Sequence, residues 1–278
     1  MYKPNLLFTL LALPLFSLGQ QLPADTLANK PAGKTWFVNT GLIYLSNLTY
    51  AGRRDSTSVP VLLPTVSLIS SKGFFLSAIG YFDLNGSKSA TEGISFTPGY
   101  VFSFDKQKQY GGVISATKYF ITDNSPIILA SFNATIDGQL HFNPDDIVKL
   151  TIAGSYRIGK QGPNDIINDA ELSKEIWLYK NIKNPNNGFK IIPDVMLYAG
   201  TQSFAQADSA SLVNTVLGTP TQPQVTRKYE LLAFSGSMQF IYAIKTWQVN
   251  FTPYLIQPYN SGQNGSYFLY TIGVNVTF

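Results

Sequence analysis

Eight ionisable residues in the middle of the chain are evenly spaced within four short stretches. They are Asp137 and His141, Lys149 and Arg157, Glu171 and Glu175, and Lys190 and Asp194. On an extended strand, even spacing puts both members of a pair on one face. Four neighbouring strands of this kind would gather carboxylates, cations and an imidazole on one surface. The mixed signs allow pairing across strands, for instance Arg157 or Lys149 with Glu171 or Glu175. The same surface could instead wall a path for polar solutes. Catalysis is poorly served. His141 is the only histidine and there is no cysteine, so thiolate chemistry is excluded. A histidine-activated serine would also lack a G-x-S-x-G turn. One histidine without cysteine specifies no metal site, and no cofactor is indicated. The run ANKPAGKT (28–35) fits a relaxed phosphate-loop pattern with Ala28 in the first glycine's place. A working phosphate loop joins a strand to a helix. Here a Pro-containing segment precedes it and the strand-like WFVNTGLIYL follows.

The elements that would carry these residues read as strands along most of the chain. Period-two alternation predicts twelve, at about 36–50, 60–70, 73–84, 93–104, 109–121, 127–142, 147–158, 170–182, 189–203, 229–243, 246–258 and 266–278. In ISFTPGYVFSF, Ile94, Phe96, Pro98, Tyr100, Phe102 and Phe104 share one face. In ASFNATIDGQLHF, Phe132, Ala134, Ile136, Leu140 and Phe142 oppose Ser131, Asn133, Thr135, Asp137, Gln139 and His141. The segment NDAELSKEIWLYKNIKN admits a helix, because Asn168 and Glu171 have capping-box spacing. An even strand number favours the strand. Pro64, Pro98, Pro193 and Pro253 fall inside predicted strands on the apolar face, where each removes a ladder donor and suggests a bulge.

A soluble sandwich also alternates, but three features point to a membrane barrel. Strands of ten residues or more match a tilted membrane crossing. Connections alternate between tight and long. Aromatics gather at strand ends, with Trp36, Phe104, Phe142, Trp247 and Phe278 at one level and Tyr50, Phe120, Phe204 and Phe268 at the other, as in the two interfacial girdles of such barrels. Composition agrees. Charged residues make up 13% and aromatics 14%, with a net charge of +4. That charge is scattered and forms no basic stripe, which excludes a nucleic-acid partner.

The chain ends SYFLYTIGVNVTF, with Tyr270, Ile272, Val274, Val276 and Phe278 on one face. This stretch resembles the C-terminal assembly signal of Gram-negative outer-membrane β-barrel proteins. The resemblance implies insertion by the barrel-assembly machinery, contact with outer-membrane lipid and residence in the cell outer membrane. At the other end, Lys3, an apolar run from Leu6 to Leu18 and the small residues Ser17 and Gly19 read as a secretory signal peptide, residues 1–19. Residues 20–35 follow as an N-terminal periplasmic segment and 36–278 as the barrel.

The expected fold is thus all-β: a transmembrane, antiparallel up-and-down β-barrel of about twelve strands, with short periplasmic turns and longer extracellular loops. Asp137, His141, Lys149, Arg157, Glu171, Glu175, Lys190 and Asp194 then face the lumen. Eight strands fill with side chains and sixteen leave an aqueous pore, so about twelve leaves two readings. One is a narrow, weakly selective channel for small polar solutes, without enzymatic activity. The other is a closed structural or binding barrel whose extracellular loops meet a partner or surface ligand. A lipid-modifying enzyme is disfavoured by the lone histidine.

Overall fold

The computed structural model describes residues 35–51, 53–54, 59–85, 91–123, 125, 127–160, 163–182, 187–201, 228–259 and 265–278. The expected signal peptide, the segment from 20 to 34 and most of the phosphate-loop-like run lie outside the described residues. So do Phe204 and the side chain of Tyr50.

The strands are β1 (Trp36–Leu45), the two-residue pair β2 (Thr49–Tyr50) and β3 (Arg53–Arg54), β4 (Val61–Ser70), β5 (Phe74–Asp83), β6 (Thr91–Ser103), β7 (Tyr110–Ile121), β8 (Phe132–Phe142), β9 (Lys149–Gly159), β10 (Asp165–Ser173), β11 (Ile176–Lys180), β12 (Gly188–Gly200), β13 (Glu230–Ile244), β14 (Trp247–Pro258) and β15 (Tyr267–Thr277). All except β2 and β3 belong to one antiparallel sheet of thirteen strands. It closes because β1 pairs with β15 and β10 pairs with β12. Phe278 completes the seam: its N–H donates to the Val38 carbonyl at 2.8 Å, and its carbonyl accepts from the Val38 N–H at 3.3 Å. Closure leaves no row of edge amides open to lipid.

Thirteen strands make twelve staves, because β10 and β11 are one stave. Both pair with β12 in a register that continues across the gap, Ser173 opposite Asp194 and Ile176 opposite Ile191, and shifts only beyond Trp177. The gap between them faces Pro193, which has no N–H to give; the Lys174 N–H still donates to the Pro193 carbonyl at 3.2 Å. The other three prolines likewise leave the register unchanged (Pro64 stands opposite Leu42, Pro98 opposite Leu76, Pro253 opposite Tyr270), so they mark missing rungs and not bulges. The helix admitted over 168–182 is absent. Ladders to β9 and β12 override the local capping pattern, and the stave starts at Asp165, earlier than the predicted 170.

One end of the barrel carries tight turns, among the described residues at 71–73, 104–109, 143–148 and 245–246. Gly73 makes the first of them possible: its φ is +100°, and a Cβ there would lie 2.2 Å from the Val101 carbonyl oxygen. The other end carries the longer loops. The outer surface is a belt of exposed apolar side chains, among them Leu42, Val66, Leu76, Ile114, Ile136, Val195, Phe251 and Ile272. Trp36, Phe104, Trp247 and Phe278 stand exposed at the turn end, and Phe120 and Phe268 at the loop end. One expected face is corrected. Phe132 is buried inside, not outside, because a register shift at Asn133 turns the chain over at the start of β8.

Candidate functional site: the lumen

All eight sequence-predicted residues face the lumen, and their staves are adjacent. Asp137, His141, Lys149, Arg157, Glu171, Lys190 and Asp194 are buried, and Glu175 is half-buried. Register explains their proximity. Arg157 lies opposite Thr135 and Asp165, Lys149 opposite Ser173, and Ser173 opposite Asp194. Lys190 Nζ pairs with Glu175 Oε2 at 3.2 Å. The Lys190 ammonium also stands 5.3 Å from the centre of the Trp177 ring. The Arg157 guanidinium lies over the Phe132 ring at 5.4 Å, made possible by the inward turn of that residue. Asp137 accepts from Thr135 Oγ1 at 2.9 Å and from Ser155 Oγ, and Asp194 accepts from Ser237 Oγ. His141 packs against Gly111, where a Cβ would come 2.8 Å from the ring.

The sequence reading missed two lumen carboxylates, Asp165 and Asp169. They share the inward face of β10 with Glu171 and were lost because the strand was begun too late. Extending the period backwards from Glu171 finds both. With them the wall holds six carboxylates, from Asp137, Asp165, Asp169, Glu171, Glu175 and Asp194, against three cations, from Lys149, Arg157 and Lys190.

The opposite wall is neutral over most of its height. Ser67 and Ser77 share a hydrogen bond of 2.7 Å, Tyr81 and Ser95 one of 3.0 Å, and Thr97 and Thr117 one of 2.9 Å. Near the seam, Asn39 Nδ2 donates to Thr277 Oγ1 at 3.1 Å. Asp83 and Glu92 add charge only at the loop end.

Above both walls, at the loop end, the lumen turns apolar. Leu45, Leu63, Ile79, Ile167, Met196, Tyr198, Ile256 and Leu269 point inward from the staves and form one buried cluster. Loop residues complete it: Leu48, Ala51 and Val59 from the first loop, and Ile127 and Leu129 from the loop before β8. The first loop is pinned by hydrogen bonds from the Leu48 N–H to the Val59 carbonyl and from the Val59 N–H to Asn47 Oδ1. The second is tied to the neighbouring loop by Lys160, whose ammonium meets Asp123 and the Ile121 carbonyl, each at 2.8 Å. In the polar lining below, Arg157 is 1% exposed and Glu171 0%.

No family model matches the chain, and no curated protein matches it. Solved structures do. The NanC porin is 12% identical, with a TM-score of 0.51 over 86% of this chain and 98% of that one. The KdgM porin is 11% identical, with a TM-score of 0.47 over 87% and 99%. An outer-membrane channel from Pseudomonas putida F1 is 8% identical, with a TM-score of 0.39 over 90% and 99%. At such identities the NanC likeness speaks for the fold alone. Closed antiparallel staves, an apolar outer belt and that likeness together show a porin-like antiparallel β-barrel fold, with no specific subfamily identified.

Proposed function

We propose that the chain is a narrow outer-membrane channel for small polar solutes, weakly selective, in a shut conformation. The observation that carries this is the make-up of the seal. Polar inner faces line the barrel, and they end beneath an apolar cluster to which two loops contribute Leu48, Ala51, Val59, Ile127 and Leu129. Loops open locally at lower cost than staves, so a seal of this kind can be withdrawn while the sheet stays intact. The turn end lies in the periplasm and the loop end outside, following the rule of short periplasmic turns. The β15 strand ending at Phe278 is then what the assembly machinery reads.

Planar-bilayer recording tests the proposal. The wild type gives rare, small steps, and Leu48→Ser with Ile127→Ser gives frequent ones. In the opened barrel, Glu171→Gln with Glu175→Gln shifts the reversal potential toward anions, most at low salt where screening is weak. If neither wild type nor opened variant conducts, the channel reading fails. The second reading, a closed barrel whose loops meet a partner, then stands; the burial of Arg157 and Glu171 favours it.

A further inference from the structure

The outward face of β7 and β8 carries a cation at an unexpected place. Lys118 is exposed and points away from the lumen, close to the loop end of β7. Its ammonium donates to Asn133 Oδ1 and lies 5.8 Å from the centre of the Phe120 ring. Both partners are neutral. Asn133 is the residue at which the β8 register shifts. A lysine facing lipid is costly unless an anion meets it, and an ionisable group in that position marks a site by default.

A groove of about 820 Å³ crosses the same outward face on the periplasmic side of Lys118. Ile114, Ile136, Tyr156 and Ile166 line it, over a floor at Gly138 and Gly154. The two glycines stand opposite each other in the β8–β9 ladder. A Cβ on Gly138 would have no atom within 4 Å, whereas one on Gly154 would meet the Asn168 amide at 2.9 Å. That amide group is held from the other side by Tyr229, whose hydroxyl donates to Asn168 Oδ1 at 2.9 Å. An apolar trough thus runs below a lone cation at the interfacial level.

We propose that this face holds one phosphate-bearing lipid of the outer leaflet, its phosphate on Lys118 and an acyl chain in the groove over Gly138 and Gly154. The proposal rests on outer-membrane residence. The charge supplies the headgroup preference, as a lysine at an anionic membrane surface does, and the trough supplies the chain.

Native mass spectrometry of the folded barrel in a neutral maltoside detergent tests it, with phosphatidylglycerol and uncharged diacylglycerol as probes. The wild type retains one phosphatidylglycerol, preferred about fivefold over diacylglycerol. Lys118→Gln abolishes the preference, and Lys160→Gln, whose ammonium already meets Asp123, keeps it. Gly138→Leu fills the trough without strain and lowers retention of both lipids. Inorganic phosphate does not displace the lipid. Equal retention of the two lipids by the wild type, or an unchanged preference in Lys118→Gln, overturns the site while leaving the barrel intact. Failure of the chain to give a heat-modifiable folded form in vesicles would instead remove the membrane reading, and the lipid site with it.

Discussion

Strands β4–β7 and β8–β12 line one lumen with opposite chemistry. The first group is satisfied by short-range pairs of hydroxyls, such as Ser67 with Ser77 and Thr97 with Thr117. Each such pair closes between neighbouring staves. The second group gathers buried ionisable side chains, among which Lys190 pairs with Glu175 at 3.2 Å and Asp137 and Asp194 accept from neighbouring hydroxyls. A hydroxyl pair contributes little net stability and loses little when removed. A buried charge loses much when its counter-charge goes. The hydroxyl wall should therefore act as inert lining, and the charged wall should set both barrel stability and ion preference.

The largest expected break is Arg157→Met. It removes a cation from among Asp137, Asp165 and Asp169, and a buried charge left without its partner costs about 3–5 kcal/mol. The unfolding midpoint, read by heat-modifiable gel mobility, should fall steeply. Next is Ile136→Arg, on the outward face of the same wall, where Ile136 is 55% exposed. A mid-membrane arginine facing lipid costs about 2–4 kcal/mol, seen as a lower folded yield in vesicles. On the neutral wall, Thr97→Val leaves the buried Thr117 hydroxyl without that partner and should cost less, about 1–3 kcal/mol, in the same unfolding assay. A Thr97→Val loss as large as that of Arg157→Met would erase the distinction between the walls.

The smallest effect concerns the turn that joins β6 to β7. Burial would raise the Asp105 carboxyl, but its hydrogen bonds from the Tyr110 and Gln109 amides, at 2.8 and 3.0 Å, outweigh that and hold it below the usual range. A depressed carboxylate contributes stability above its unfolded value and loses it as pH falls through its folded one. Asp105→Asn should therefore be slightly less stable than the wild type at neutral pH and equal to it in acid. A difference that persists in acid would show that charge is not what the turn uses.

Most of the barrel was legible because membrane staves must alternate over their whole length and must pair on both sides. The twelve predicted strands therefore lie close to the twelve staves, and seven of the eight ionisable residues that parity grouped are buried, with Glu175 half-buried. The failures have local causes. Asp165 and Asp169 sit just after Gly162, Pro163 and Asn164, residues that read as loop and hid the start of β10. Phe132 was put outside because a one-residue shift at Asn133 cannot be seen in an alternating pattern. The break after Ser173 comes from Pro193, far along the chain, and becomes intelligible only once β10 and β12 are known to pair. The seal was illegible for a different reason. Leu48, Ile127 and Leu129 fell inside the predicted strands 36–50 and 127–142, but β1 ends at Leu45 and β8 starts at Phe132, and only tertiary structure shows that these residues and Val59 fold into the mouth as loops.

The central claim is that this apolar seal, and not the packed polar lining beneath it, keeps water from the lumen. The chain has no cysteine, so a single engineered thiol reports alone. Thr151 stands near the turn end of the lumen, 1% exposed, opposite His141 and Glu171, so a reagent from the loop side must pass the seal to reach it. The measurement is the rate at which a small water-soluble thiol reagent, added from the loop side, modifies Thr151→Cys in vesicles. The account predicts slow modification in the sealed barrel and rapid modification when Leu48→Ser and Ile127→Ser are added. Equal rates in the two backgrounds, whether both fast or both slow, would contradict it.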